Sequence, residues 1–236
     1  MAIHWEPVGD GRVLAVSDDH RFGTDTVILS YFAAPQTAGE AVCDLGTGCG
    51  CIPFLLLNQP VAPRRILGVD KQPDAIMLCR LSADKNKLHG LLQFAEADWC
   101  FPKSIAAAGS FDRVICNPPY FDRNAGANAP TAEKRTARQD ATCSVEELAV
   151  AASFVLHTGG KAAFVFRPER LWVLLEALSR VRLVPKRMRF VHQSVQAAPS
   201  VVMVECRKGG SAEGLVVEPP LIVESDEYFR IYGIEH

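Results

Sequence analysis

No two of the eight cysteines in the 236-residue sequence are spaced Cys-x-x-Cys. The commonest signatures of a zinc site and of a redox pair are therefore missing. Several cysteines stand inside apolar stretches, as in Ala41-Val42-Cys43-Asp44 and Val114-Ile115-Cys116-Asn117. A reduced cysteine there is a small buried hydrophobe, so neither a disulfide nor a metal centre is expected. No apolar run approaches the roughly 18 to 20 residues of a membrane-spanning helix. The opening Met1-Ala2-Ile3-His4-Trp5-Glu6-Pro7 lacks both the basic and the apolar region of a secretory signal, and the protein is expected in the cytoplasm, away from membranes. An excess of one charge is missing too. Lys and Arg number 25 against 27 Asp and Glu, a formal charge of −2, which argues against wholesale coating of nucleic acid. The distribution is uneven, however: Arg180, Arg182, Lys186, Arg187 and Arg189 fall between Glu176 and Glu205 with no acid among them. That run reads first as an exposed face and second as a local basic patch.

Hydrophobic residues make up 48% of the chain, enough for an ordinary core and too many for a disordered polymer. Short apolar runs stopped by Gly, Asp, Asn or Pro predict strands at 41–45, 65–69, 91–96, 111–116, 161–166 and 201–206. Helical stretches alternate with them at about 50–58, 73–88, 144–157 and 168–181. The third opens with a capping box, Ser144 followed three residues later by Glu147. Strand and helix in alternation imply a parallel, doubly wound α/β sheet, whose ligands bind at the carboxyl ends of the strands. Two segments break the rhythm. Residues 1–35 predict a hairpin turning at Gly9-Asp10-Gly11 and an apolar helix from Thr24. Residues 121–143 form a polar connection, longer than the 12 to 15 residues usual for a loop, and are read as a substrate loop.

The first core strand runs into Asp44-Leu45-Gly46-Thr47-Gly48-Cys49-Gly50 and then an apolar helix. Glycines permit a tight turn and close approach of a ligand, and a helix N-terminus offers free N–H groups. A dinucleotide site would read G-x-G-x-x-G; here the third glycine comes one residue early and an acid precedes the first. Such an acid repels a pyrophosphate but pairs with a cationic amino group, as on the methionine part of S-adenosylmethionine. Asp70 ends the second strand twenty residues beyond Gly50, a spacing that suits a carboxylate accepting from two ribose hydroxyls. It is read as an exposed group at a strand end. The third strand ends in Glu96-Ala97-Asp98-Trp99, where Asp98 can accept from an adenine amine. Each acid alone would read as a solvated loop residue or a helix cap. Three at successive strand ends point to a ligand.

The fourth strand closes in Asn117-Pro118-Pro119-Tyr120. Two prolines stiffen the backbone and remove its donors, and a residue before proline is held extended. The Asn117 side-chain oxygen and the Pro118 carbonyl are left to accept from one amino group, with the Tyr120 ring beside them to stack on its planar carrier. His157 and His192 read as structural or surface residues, and Cys49 and Cys51 as packing around Gly50.

Taken in order, the glycine loop from Asp44 to Gly50, then Asp70, Asp98 and Asn117-Pro118-Pro119-Tyr120 resemble the motifs of class I S-adenosylmethionine-dependent methyltransferases that modify an amino nitrogen, over residues about 40–206. More narrowly, Phe22-Gly23-Thr24-Asp25-Thr26-Val27-Ile28-Leu29, Arg135-Thr136-Ala137-Arg138 and Pro219-Pro220-Leu221 resemble the bacterial N6-methyltransferases that act on an adenine beside the anticodon of valine tRNA. The resemblance implies a seven-stranded, mostly parallel Rossmann-like sheet over residues 36–236, with residues 1–35 as a hairpin and helix packed on it. It implies that S-adenosylmethionine is bound by Phe22, Gly23, Thr24, Asp25, Asp44, Gly46, Gly48, Gly50, Asp70, Lys71, Asp98, Trp99 and Asn117. Asn117, Pro118, Pro119 and Tyr120 carry catalysis, while Tyr120, Arg135 and Arg138 meet the substrate. Lys186, Arg187 and Arg189 are a more distant RNA contact. The expected partner is tRNA, with no metal and a monomeric protein. Protein glutamine is an alternative acceptor, as its methyltransferases also carry Asn-Pro-Pro-Tyr, although they usually have an N-terminal helical domain; an RNA guanine amine is another. A non-catalytic cofactor-binding module is disfavoured by the intact Asn117 and Tyr120, and a dinucleotide oxidoreductase by the glycine spacing.

Overall fold

The computed structural model describes residues 1–118 and 144–233. Its core is the predicted doubly wound sheet. Seven long strands lie in the order β5 (Leu92–Glu96), β4 (Arg65–Asp70), β3 (Ala41–Leu45), β6 (Phe111–Cys116), β7 (Leu156–Phe166), β9 (Pro199–Lys208), β8 (Leu183–His192). Only β9 runs antiparallel to its neighbours. Two-residue strands β10 (Val216–Val217) and β11 (Leu221–Ile222) extend the sheet to nine by adding in parallel to the outer edge of β8.

Alternate side chains of the strands feed two cores, which is why these strands read as continuous apolar runs. Cys43, Val114, Phe164 and Val204 enter one core. It is covered by α4 (Val145–Val155) and α5 (Leu171–Arg180), the first held by the predicted capping box of Ser144 and Glu147. Val42, Ile115, Ala163 and Met203 enter the other, under α1 (Thr24–Phe32), α2 (Cys51–Leu56) and α3 (Pro73–Lys85).

The hairpin forms as predicted, β1 (His4–Pro7) against β2 (Val13–Val16), but in a sheet of its own. Side chains of α3 and of its C-cap satisfy the free edge of β2: Ser82 Oγ accepts from the Ala15 N–H at 2.8 Å, and Asn86 both accepts from the Val13 N–H and donates to its carbonyl. Near the end of the described chain, α6 (Asp226–Ile231) touches α1.

Two readings need correction. The basic run 180–189 is largely not an exposed face; from Leu183 onward it is β8, the seventh long strand, whose alternation is obscured by a register shift between Pro185 and Arg187. And while six cysteines are free and buried, Cys100 is disulfide-bonded. Pairing depends on which loops meet in space, which spacing along the chain does not reveal.

Candidate active site

Chain order reverses between β3 and β6, so the loops leaving these adjacent parallel strands part and open a crevice at their carboxyl ends. The glycine loop forms one side. Gly46, Gly48 and Gly50 take φ of 74°, 54° and 89°, a region costly for other residues. The loop is fastened to β4, since the Val69 carbonyl accepts from the N–H groups of Gly46 and Thr47 at 2.8 and 2.9 Å. A Cβ on Gly46 would lie 2.7 Å from the Trp99 ring, so the glycine permits the close approach of that indole.

Around this loop is a cavity of about 250 Å³. Arg21, Phe22 and Thr26 wall it from the segment entering α1. Gly46 to Cys49, Cys51 and Ile52 contribute the loop and the start of α2. Asp70, Lys71 and Gln72 follow β4, Ala97 to Trp99 follow β5, and Asn117 follows β6. Eight of the predicted residues thus meet in one place: Phe22, Gly46, Gly48, Asp70, Lys71, Asp98, Trp99 and Asn117.

Asp70 is not the exposed group expected, having only 8% of its surface accessible. Its Oδ2 accepts from the Gly48 N–H at 3.0 Å and its Oδ1 from the Gln72 N–H at 3.0 Å. The carboxylate therefore ties the glycine loop to the start of α3, and each oxygen retains lone pairs for a ligand. Asp98 Oδ1 accepts from the Cys100 N–H at 2.9 Å. The Asn117 Nδ2 donates to Thr26 Oγ1 at 2.9 Å.

Gly23, Thr24, Asp25, Asp44, Gly50 and Pro118 do not line the cavity. Gly23 and Gly50 cap α1 and α2. The Thr24 side chain is hydrogen-bonded to Tyr232 of the segment after α6. Asp44 lies wholly buried near the loop, its Oδ2 accepting from Thr47 Oγ1 at 2.6 Å and its Oδ1 without a protein partner. Burial pushes its pKa up to about 7, against the Thr47 hydrogen bond, with the Asp70 charge adding to the rise. Pro119, Tyr120, Arg135 and Arg138 lie outside the described residues.

Sequence reading missed Arg21, Thr26, Thr47, Cys49, Cys51, Ile52, Gln72 and Ala97 as cavity residues. Thr47 and Cys49 sit inside the glycine motif and were within reach; Thr26 was not, because its role depends on a contact across 91 positions. Cys49 and Cys51 are buried, as read from their surroundings, yet also form cavity wall. Burial pushes the Cys49 thiol up to about 11, leaving it neutral at physiological pH.

Lys186, Arg187 and Arg189, expected as a distant RNA contact, all have partners within the fold. Arg189 forms a two-pronged pair with Glu227 at 2.7 Å. Arg187 contacts Glu205 and Glu218, donates to the Phe32 carbonyl and covers the Phe32 ring. Lys186 donates to the carbonyls of Ser211 and Glu213. These cations are engaged by acids and carbonyls along the edge of the sheet. His157 and His192 have the structural and surface roles expected, bonded to Asp112 and to the Ala197 carbonyl. Among the described residues no three His, Cys, Asp or Glu side chains gather as a metal site, and no helix is long and apolar enough to cross a membrane.

Residues 21–191, which run from the cavity's Arg21 through Asn117 to the last long edge strand, match the sequence profile described as the methyltransferase small domain. The chain belongs to the methyltransferase small domain family. A tRNA1(Val) (adenine(37)-N6)-methyltransferase of Porphyromonas gingivalis is 28% identical over 223 residues, 89% of this chain and 86% of that protein. A release factor glutamine methyltransferase of Rhodospirillum rubrum is 35% identical over 123 residues, but these are 52% of this chain and 35% of that protein. Among solved structures, a predicted O-methyltransferase of Agrobacterium tumefaciens superposes with a TM-score of 0.69 over 89% of this chain and 95% of its own, at 16% identity. That likeness establishes the class I methyltransferase fold for this chain.

Proposed function

We propose that the protein transfers a methyl group from S-adenosylmethionine to the exocyclic N6 of an adenine in tRNA, beside the anticodon. The observation that carries this reading is Asn117, just after β6, lining the same cavity as Asp70 and Asp98. The cavity's chemistry suits the donor molecule. Asp70 offers lone pairs to ribose hydroxyls, Asp98 an acceptor to an adenine amine, and Trp99 an aromatic face. Asp44 Oδ1, buried behind the glycine loop and without a protein partner, is an acceptor that an ammonium group at that loop can reach through water. When bound, S-adenosylmethionine supplies an electrophilic methyl group on a cationic sulfur.

The chain's own task is to prepare the nucleophile. An adenine N6 lone pair is delocalised into its ring, and acceptors at its two hydrogens favour the form with charge building on nitrogen. Asn117 Oδ1 is one such acceptor and the Pro118 carbonyl the second. Pro118 holds Asn117 extended, and Tyr120 would stack on a base turned out of its strand. No strong base is needed, because the proton leaves after attack.

The extent of the tRNA methyltransferase relative, 86% of its length, favours adenine over the alternatives. Protein glutamine remains the second reading, since the glutamine methyltransferase relative is 35% identical across the part it shares and an amide nitrogen poses the same problem. The test supplies labelled S-adenosylmethionine with unmodified tRNA transcripts and, separately, with a release factor. N6-methyladenosine by nucleoside mass spectrometry is expected, reduced about 100- to 1000-fold by Asn117→Ala. N2-methylguanosine, or label only in the release factor, overturns the assignment.

A further inference from the structure

We infer that Thr26, on the first turn of α1, is a positioning residue for the methyl transfer, holding the Asn117 carboxamide so that its oxygen faces the acceptor amine. The inference rests on the reading of Asn117 given above and adds a residue from another element to it.

Backbone stiffness at Asn117-Pro118 settles where the Asn117 Cα lies and in which direction its side chain leaves. It does not settle the carboxamide plane. The last torsion of an asparagine is broad, with no sharp staggered wells, and an amide free to turn presents either its acceptor oxygen or its two donor hydrogens to a substrate. The second arrangement sets N–H against N–H. An amino group at the cavity rim is thus recognised only if something outside β6 fixes that torsion.

Thr26 does this from across the crevice. Its Oγ1 accepts from Asn117 Nδ2 at 2.9 Å, a partly buried contact between residues 91 positions apart. With the nitrogen engaged on the α1 side, Oδ1 is the end left to accept. Thr26 also lines the cavity that Asn117 rims, so the bond lies at the site and not behind it. The support is itself rigid. Gly23 caps α1, the Thr26 N–H donates to the Gly23 carbonyl at 3.1 Å, and the neighbouring Thr24 is hydrogen-bonded to Tyr232.

Thr26→Val removes the hydroxyl at nearly constant volume, and Thr26→Ser restores it. The expected result is a fall in kcat of about 10- to 100-fold for Thr26→Val, the size of loss that follows a small misplacement of a reacting group, with S-adenosylhomocysteine affinity and Tm near parental and near-parental kcat for Thr26→Ser. A second readout does not depend on the acceptor's identity. In ¹⁵N-labelled protein, the Asn117 side-chain NH₂ signals, identified by their loss in Asn117→Ala, should shift in Thr26→Val and return in Thr26→Ser. Unmoved NH₂ signals overturn the inference. So does parental kcat in Thr26→Val, or a loss of S-adenosylhomocysteine affinity matching the loss of turnover, which would make Thr26 a cofactor contact. If the signals respond but the parent methylates no adenine in tRNA, the substrate reading fails while the Thr26–Asn117 contact stands.

Discussion

Asp44 and Asp70 show how two carboxylates in one motif set acquire different work. Asp70 accepts two backbone N–H groups, so it is part of the loop's architecture as well as a candidate ligand group. Asp70→Ala is therefore expected to lower Tm as well as weaken S-adenosylhomocysteine binding, the latter by one to two decades, since a hydrogen bond to a charged group is worth about 1.5 to 3 kcal/mol. Calorimetry and a melting curve on one preparation check both. Asp44 is buried with its pKa pushed up to about 7, far above the usual carboxylate range. The folded, ligand-free protein then binds a proton that the unfolded chain releases near pH 4, so stability falls as pH rises from about 4 to about 7. Asp44→Asn should remove that slope in melting curves taken across the range. A ligand ammonium that reaches Asp44 through water favours its ionised form, and S-adenosylhomocysteine affinity should accordingly rise with pH through about 7 in the parent and not in the variant.

At the level of elements, the glycine loop and the C-terminal helix carry opposite lessons. The loop works by absence of side chains: Gly46→Ala combines φ of +74° with a Cβ 2.7 Å from the Trp99 ring, so loop and indole must separate. A loss of S-adenosylhomocysteine affinity of at least tenfold is expected, and parental affinity would show that the ring can yield. Helix α6 works by side chains that join distant pieces. Arg189 on β8 grips Glu227, and Tyr232, just beyond the helix, bonds to Thr24 at the start of α1. Arg189→Ala is expected to speed amide hydrogen exchange in residues 224–233 and in the first turn of α1, with little change in the strands; uniform protection would show that α6 needs no such anchor.

For the whole molecule, a formal charge of −2 means that RNA must be met by local cations. With Lys186, Arg187 and Arg189 engaged within the fold, Arg135 and Arg138 are the remaining pair that sequence reading assigned to substrate. Replacing both with Ala should flatten the dependence of tRNA affinity on salt by a log-log slope of about 0.7 per lost single-strand contact. Lys186→Ala should leave the slope as in the parent. A filter-binding series at several salt concentrations decides, and the reverse pattern would return the interface to the sheet edge. A buried cation elsewhere shows how the fold consumes charge: Arg113 of β6, 1% exposed, donates to both Glu40 and Glu205 of β9.

Local chemistry determined a good deal of this protein. Alternating apolar strands and helices, the capping box at Ser144, the hairpin at Gly9-Asp10-Gly11 and the glycine loop all depend on neighbours within a few residues, and so were legible in the chain. The carboxyl-edge placement of Asp70, Asp98 and Asn117 followed from strand ends and the known handedness of such sheets. Tertiary structure decided what depends on partners far along the chain. Strand β8 was hidden because its cations take acids and carbonyls from distant segments, Asp44 was withdrawn from the cavity by burial, and Asp70 was turned into a tie by the Gly48 N–H. The Thr26 bond to Asn117 spans 91 positions, and no periodicity or motif spacing encodes it; only the packing of α1 over the end of β6 brings hydroxyl and amide together.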